Sequence, residues 1–318
     1  MVNKKHAYLI MVHNNWKQLC LLLSVLDDER NDIYLHIDKK SKNVPIDSLK
    51  KSVKKSKLYI YSEYEIYWGD FSQVECELYL FEKASKNEYY RYHLISGADL
   101  PIKSQDYIHD FFEKNADYEF VHYTDENKKN SYEIERRTRT YHFLQKYCKK
   151  YKIKVINKFF AFLEKIILFI QKIFHVNRLK NSKIKIKYGS QWISITNDLV
   201  QYILKNKELI QKLFKYTNCP DELFIQTIVY NSKYKNKLFY KKFDDSVYAN
   251  MRLIDWNRGK NGSPYVWNLS DKKVIDESEC LFARKFDINV DKEIIEYIIS
   301  QIKWEYPKVC VNLQTDVR

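Results

Sequence analysis

HAYLIMVHNNWKQLCLLLSVLDDERNDIYLHID, residues 6–38, reads as strand, helix, strand. The run at 6–12 is short and almost wholly apolar. Trp16, Leu19, Leu22, Leu23 and Leu26 then recur at helical spacing, and a second apolar run at 33–37 ends at Asp38. The pattern continues outward. A Lys-rich segment that reads as an exposed helix precedes a third run at 58–61, and a helical stretch at 71–84 leads into a fourth run at 92–95. Strands alternating with helices imply an α/β fold with a parallel sheet, whose ligands gather beyond the carboxyl ends of the strands. His13, Asp38 and Ser96 stand at such ends.

Composition narrows the chemistry. The chain has 318 residues, 45% of them hydrophobic, enough for one large domain or two small ones. It holds only five glycines and contains neither G-x-G-x-x-G nor a Walker A sequence, which removes classical dinucleotide and P-loop binding. A net charge of +14 with 27 tyrosines suits nucleic acid, an anionic lipid surface or a phosphorylated substrate. Cys20, Cys76, Cys148, Cys219, Cys280 and Cys310 are widely scattered with no C-x-x-C, which argues against a zinc site. Residues 1–5 lead straight into a strand pattern without an apolar signal region, so a reducing cytoplasm and free thiols are expected. No Asp-x-Asp occurs, and 287–291 (DINVD) lacks the Gly and Glu of a calcium loop.

The second half opens on an amphipathic helix at residues 152–174, with Lys154, Lys158, Lys165 and Lys172 on one face and nearly everything else apolar. Its longest unbroken apolar stretch, 166–170, is too short to span a bilayer. Two readings stand: a core helix packed under the sheet, or a helix lying in a membrane interface with its lysines toward anionic head groups. A strand at 191–195, helices at 199–214 and 222–230, loops over 250–270, a strand at ARKFD and a helix at 292–302 follow, without an internal repeat.

Each glycine falls in a polar and aromatic cluster: Trp68-Gly69-Asp70, the 96–101 stretch SGADLP, Gly189-Ser190-Gln191-Trp192, and 255–264. These are turns, or a site rich in side chains that stack on and hydrogen-bond to sugars and nucleotides. Pro220-Asp221-Glu222 before an apolar run is either a helix start or a carboxylate placed to take a proton from a hydroxyl. Arg284 and Lys285 are either a solvated pair or fixed cations for a leaving diphosphate.

Taken in order, HAYLIMVHNN, IYLHIDKKS, YWGDFS, HLISGADLPIKS, YGSQWISIT, PDELFIQTIVYNS, MRLIDWNRG and LFARKFD, spanning residues 6–287, resemble the core-2/I-branching β-1,6-N-acetylglucosaminyltransferases and the related peptide O-xylosyltransferases. The resemblance implies a GT-A type fold with a Rossmann-like nucleotide-binding half, and an inverting transfer from a UDP-sugar without a divalent metal or other cofactor. The missing Asp-x-Asp agrees with the last property. It further implies that Glu222 is the catalytic base and that Arg284, Lys285 and Arg252 meet the diphosphate. His13, Asp38, Trp68, Gly69, Ser96 and Asp99 would shape the donor pocket. Gly189, Ser190, Gln191, Trp192, Asp221 and Trp256 would contact sugar or acceptor, with Arg136 and Arg139 near acceptor or diphosphate.

Residues 1–126 would then be the nucleotide-sugar half, 127–188 a variable insertion carrying the basic amphipathic helix, and 189–318 the catalytic and acceptor half of the same domain. The low-Gly, Lys- and Asn-rich composition fits a bacterial enzyme extending a lipid-linked or surface polysaccharide at the inner face of the plasma membrane, with an anionic membrane surface met through 152–178. The donor would carry GlcNAc or xylose, and ARKF and DWNR lean toward xylose. A basic Tyr-rich RNA-binding protein is the competing class. No recognisable nucleic-acid motif supports it, and a nucleic-acid partner is not expected. An inactive carbohydrate-binding relative is the third reading, and intact Glu222, Arg284 and Lys285 speak against it.

Overall fold

A computed structural model describes residues 4–302, apart from 126, 152 and 261. β1 (His6–Val12) is central, parallel to β2 (Asn31–Ile37) on one side and β4 (Arg91–Ser96) on the other, with His6 opposite both Asn31 and Arg91. β3 (Lys57–Tyr61) extends the sheet beyond β2 in parallel, and β6 (Ile193–Thr196) closes the far edge antiparallel to β4. The order β3-β2-β1-β4-β6 makes a mixed sheet in which the chain steps outward from β1 and then returns to its other side. That reversal opens a crevice between the ends of β1 and β4. A second sheet, ordered β5-β8-β7, sets β5 (Asp99–Pro101) antiparallel to β8 (Phe282–Arg284) and β7 (Arg252–Ile254) parallel to it. Asp99 thereby lies opposite Arg284.

Period-two alternation assigns the strand side chains to two cores. Tyr8, Ile10, Val12, Ile33, Leu35 and Ile95 enter one, with α1 (Trp16–Leu26) and α11 (Lys292–Gln301). Ala7, Leu9, Tyr34, Tyr92 and Leu94 enter the other, under α3 (Ser72–Ala84), α7 (Asn197–Lys205), α8 (Lys207–Phe214) and α9 (Phe224–Tyr230). Short α2 (Ile46–Lys51) packs on α1, α4 (Gln105–Lys114) carries Ile108 and Phe112 into the first core, and α10 (Lys272–Asp276) adds Ile275. α5 (Lys128–Thr138) and α6 (Lys154–Ile173) form the insertion between Phe120 and β6.

Three expectations need correction. The helix expected over 199–214 is two helices, interrupted at Asn206, whose side chain turns back to the Tyr202 carbonyl at 2.8 Å. The helix expected from Glu222 starts at Phe224, after a single 3-10 turn at Pro220–Glu222. The core-helix reading of α6 fails, because both faces of the sheet are already covered. Within α6 only Glu164 and Gln171 are buried. Lys152, at the expected start of this helix, lies outside the described residues, as do 303–318.

Leu94, fully buried at the middle of β4, tests the second core. Leu94→Ala is expected to lower the unfolding free energy by about 3 kcal/mol, read as a shift in urea midpoint at unchanged slope.

Candidate active site

The PDE turn is held by a neighbour that can only be glycine. Gly189 N–H donates to the Glu222 carbonyl at 3.0 Å, and a Cβ on Gly189 would lie 2.0 Å from the His122 carbonyl oxygen. Ser190 N–H donates to His122 Nδ1 at 3.2 Å, and the Gln226 amide donates to the Ser190 carbonyl at 2.7 Å. The strap 188–190 is thus clamped between the 120–124 segment and α9. Asp221 does not cap the helix that follows, since α9 begins with no side-chain cap.

The Glu222 carboxylate points the other way, toward α5. The Arg137 guanidinium donates to Glu222 Oε2 at 2.5 Å and lies 4.7 Å from the centre of the Tyr188 ring. Burial works against the Arg137 charge, and Glu222 beside it outweighs the burial, so the guanidinium is held above its usual range. Behind Glu222 sits a buried carboxyl. Asp221 Oδ2 accepts from the Gln73 amide at 3.0 Å, Gln73 Oε1 accepts from Gly69 N–H at 2.7 Å, and Cys219 N–H donates to the Gly69 carbonyl at 2.9 Å. The YWGD loop and the PDE turn are therefore one unit. Burial, reinforced by the Glu222 charge, pushes Asp221 up to about 7. Glu77, deeper still, is raised well above the carboxylate range by burial and then by Asp221, and it accepts from the Gln191 amide at 3.0 Å.

A second group gathers at the strand ends. Arg284 Nη1 donates to Ser96 Oγ at 2.6 Å and to Asp99 Oδ1 at 2.8 Å, and its guanidinium lies 4.5 Å from the centre of the Trp192 ring. Lys285 is less committed, reaching Ser263 Oγ at 3.4 Å. His13, half-desolvated and so lowered in pKa, feels both Asp38, which opposes that shift, and Lys285, which adds to it. Asp38 accepts from the Lys40 ammonium at 3.0 Å. His13, Asp38 and Lys285, far apart in sequence, thus share one neighbourhood.

Beside the PDE turn lies a cavity of about 990 Å³, whose lining includes Trp68, Arg137, Tyr188, Glu222, Trp256 and Arg258 but none of His13, Asp38, Ser96, Asp99, Arg284 or Lys285. Trp68 and Trp256 are both more than half exposed, and the Lys149 ammonium sits 3.4 Å over the Trp68 ring. Gly189 and Ser190 also line the cavity. Arg258 joins Asp255 and Asp271 through ion pairs at 2.5 and 2.7 Å. Among the described residues no group of three or more His, Cys, Asp or Glu could hold a metal ion.

Several expected contacts fall elsewhere. Arg252 borders the cavity, but its buried guanidinium is spent on the Asn250 and Ile193 carbonyls and Ser194 Oγ at 2.8 to 3.1 Å, so it braces the sheet rather than presenting charge to a diphosphate. Burial lowers it to about 10. Trp192 is buried beneath Arg284, and Gln191 and Asp221 lie behind the wall. Arg136 and Arg139 are outside, paired with Glu133 and Glu135 on the exposed side of α5. The missed residue is Arg137 between them, together with Tyr188 and His122. Three arginines in ERRTR carry no mark of which one turns inward until the docking of α5 is known.

The buried carboxyls set a pH dependence. Asp221 titrates near 3.8 when unfolded and near 7 when folded, so the protonated form is favoured by folding. Its stabilising contribution is complete below about pH 4 and is lost as pH rises through 7. Asp221→Asn keeps an acceptor for Gln73 and is expected to flatten the fall in urea midpoint between pH 5 and 8. An unchanged slope would remove Asp221 as its source.

Similarity to known proteins identifies the family. The profile of the Core-2/I-Branching enzyme family matches residues 6–276. Xylosyltransferase sqv-6 of Caenorhabditis briggsae is 26% identical over 292 residues, which are 83% of this chain and 32% of that protein. A Ciona intestinalis xylosyltransferase is 22% identical over 327 residues, covering 95% and 34%. The chain spans about a third of the length of these relatives. The apo structure of mouse xyloside xylosyltransferase 1 aligns with a TM-score of 0.36 at 11% identity, covering 87% of this chain and 96% of that one. The chain belongs to the Core-2/I-Branching enzyme family of glycosyltransferases.

Proposed function

We propose that the cleft moves a sugar from a UDP-sugar to an acceptor hydroxyl with inversion at the anomeric carbon, on a GT-A type fold. The observation that carries this reading is Glu222 on the cavity wall, anchored by its own backbone to Gly189 and facing open space beside Arg137. In the transfer, the acceptor oxygen forms the new glycosidic bond as its proton passes to the Glu222 carboxylate. The bond from the anomeric carbon to the diphosphate oxygen breaks, and its electron pair leaves with UDP.

Lys285, which among the described residues reaches Ser263 Oγ and no carboxylate, is the cation for the departing diphosphate. Arg284, adjacent in sequence and held by Asp99 and Ser96, adds a second fixed cation beside it. These fixed cations do the charge neutralisation without a divalent ion. Trp68 and Trp256, exposed on the rim, are placed to stack on sugar rings, and the 127–188 insertion, which supplies Arg137 and Tyr188, faces the acceptor. Xylose is the favoured donor sugar, because the curated relatives named above are xylosyltransferases, and the acceptor is a glycan or polysaccharide hydroxyl.

Glu222→Gln is expected to stay folded, with a cooperative thermal transition, and to lose at least about a hundredfold in kcat for UDP-xylose or UDP-GlcNAc transfer. Full activity in that variant would overturn the base assignment. Lys285→Ala is expected to lose kcat/KM for the donor by a comparable factor, and wild-type transfer is expected to persist in EDTA. Loss in chelator with recovery on Mn²⁺ would overturn the metal-free reading.

A further inference from the structure

α6 wears its amphipathicity inside out. Its two buried side chains are polar: Glu164 accepts from Leu144 N–H at 2.9 Å and pairs with His142 at 3.3 Å, and Gln171 both accepts from Tyr141 N–H and donates to its carbonyl, at 2.8 and 2.9 Å, while Phe160 beside them stacks on Tyr147 and Tyr151. Large apolar side chains on the opposite face are turned to solvent. Val155, Phe162, Ile166, Phe169 and Ile173, spaced by seven, four, three and four, form one stripe along a helix about 30 Å long, with Phe162 and Phe169 about 60% exposed. Phe159 and Ile170 widen it, and Phe174 continues it beyond the last turn. A contiguous exposed apolar surface of this extent marks an interaction site.

The charges beside the stripe decide what covers it. Lys154, Lys158, Lys165 and Lys172 are all exposed and run in a row along one edge of it. From residue 146 to 188 the sequence has a single acidic residue, Glu164, and that one is turned inward. A second copy docked on this face would bring lysines and no carboxylate to meet them. Lipid phosphates supply the missing anions at the depth where lysine stems reach while the rings enter the acyl region. Among the described residues no helix is long and apolar enough to cross a membrane, so α6 would lie in the plane of the surface.

We infer that α6 is an in-plane membrane anchor: its outward Phe/Ile stripe enters the headgroup boundary of an anionic bilayer and its lysine row binds lipid phosphates. This surface stands apart from the cleft and does not depend on the transfer reaction. It is tested by flotation of the full chain with phosphatidylcholine vesicles with and without phosphatidylglycerol. The wild-type chain is expected to float with the anionic vesicles and to be released in part by high salt. Phe162→Asp with Phe169→Asp, at exposed positions, is expected to weaken partitioning about a hundredfold with an unchanged melting temperature. Lys158→Glu with Lys165→Glu is expected to abolish the preference for anionic over neutral vesicles. Wild-type chain that stays at the bottom of the gradient, an aspartate variant that floats equally, or a lipid-free dimer that this variant dissolves would overturn the inference. Transfer to a soluble acceptor, measured on the same variants, reports the cleft separately.

Discussion

The close approach at Gly189 is the constraint on which the site depends. With 2.0 Å between a would-be Cβ and the His122 carbonyl, any other residue would push the 188–190 strap off the 120–124 segment. The strap carries the amide that holds the Glu222 carbonyl and the residue, Tyr188, that backs Arg137. Residue 120 is itself tied to β6 by a pair of backbone bonds with Ser194. The position of the carboxylate is thus inherited from the sheet through one glycine contact. A chain with only five glycines has kept one at the point where three segments meet.

Electrostatics around the turn divide neighbouring carboxyls by environment. Asp221 and Glu77 are buried with no cation in contact among the described residues, and burial favours their neutral forms. Glu222, the next residue of the same turn, is partly exposed and faces Arg137 at 2.5 Å. Packing a second full negative charge behind Glu222 would cost more than protonating it, so the negative charge of the group is concentrated where the cavity can use it. The ion pair also poses a requirement. Oε2 of Glu222 is already occupied by the Arg137 guanidinium, so an arriving hydroxyl has to share or displace Arg137.

The four parallel strands β1–β4 were legible because they are apolar runs set between helical patterns, whereas the antiparallel pairing of β6, which makes the sheet mixed, was not. β1 at His6–Val12 matches its sequence run to the residue, and β2, β3 and β4 extend theirs by a residue or two. The elements that slipped are those decided by side-chain bonds to nearby backbone, such as the break at Asn206. In the site, the PDE turn, SGADLP and ARKF were legible as clusters, and the structure brings Ser96, Asp99 and Arg284 into direct contact. Arg252 was not legible as a brace, because a lone arginine in a strand looks the same whether its fork meets phosphate or three buried oxygens. Arg137 was hidden for a geometric reason: in consecutive arginines on a helix, only the direction of docking chooses which one faces the cleft.

That docking is what joins the insertion to the chemistry. α5 supplies Arg137, and the segment after it supplies Tyr141 and His142, which are the partners of Gln171 and Glu164 on α6. Arg178, just past α6, donates to Thr217 Oγ1 at 3.1 Å, two residues before the Cys219 that bonds to Gly69, and its own N–H returns to the Arg139 carbonyl at 3.0 Å. Lys149, from the same insertion, covers the face of Trp68 on the cavity rim. The outward stripe of α6 is therefore connected to both the cation facing Glu222 and an aromatic of the cleft through short polar contacts rather than a flexible tether. Polar residues on the inward face of α6 make physical sense in that light. A directional pair such as Gln171 with both backbone groups of Tyr141 fixes the helix in one orientation, where an apolar contact would let it slide, and a fixed orientation is what keeps the stripe facing outward on the same insertion that lines the cavity.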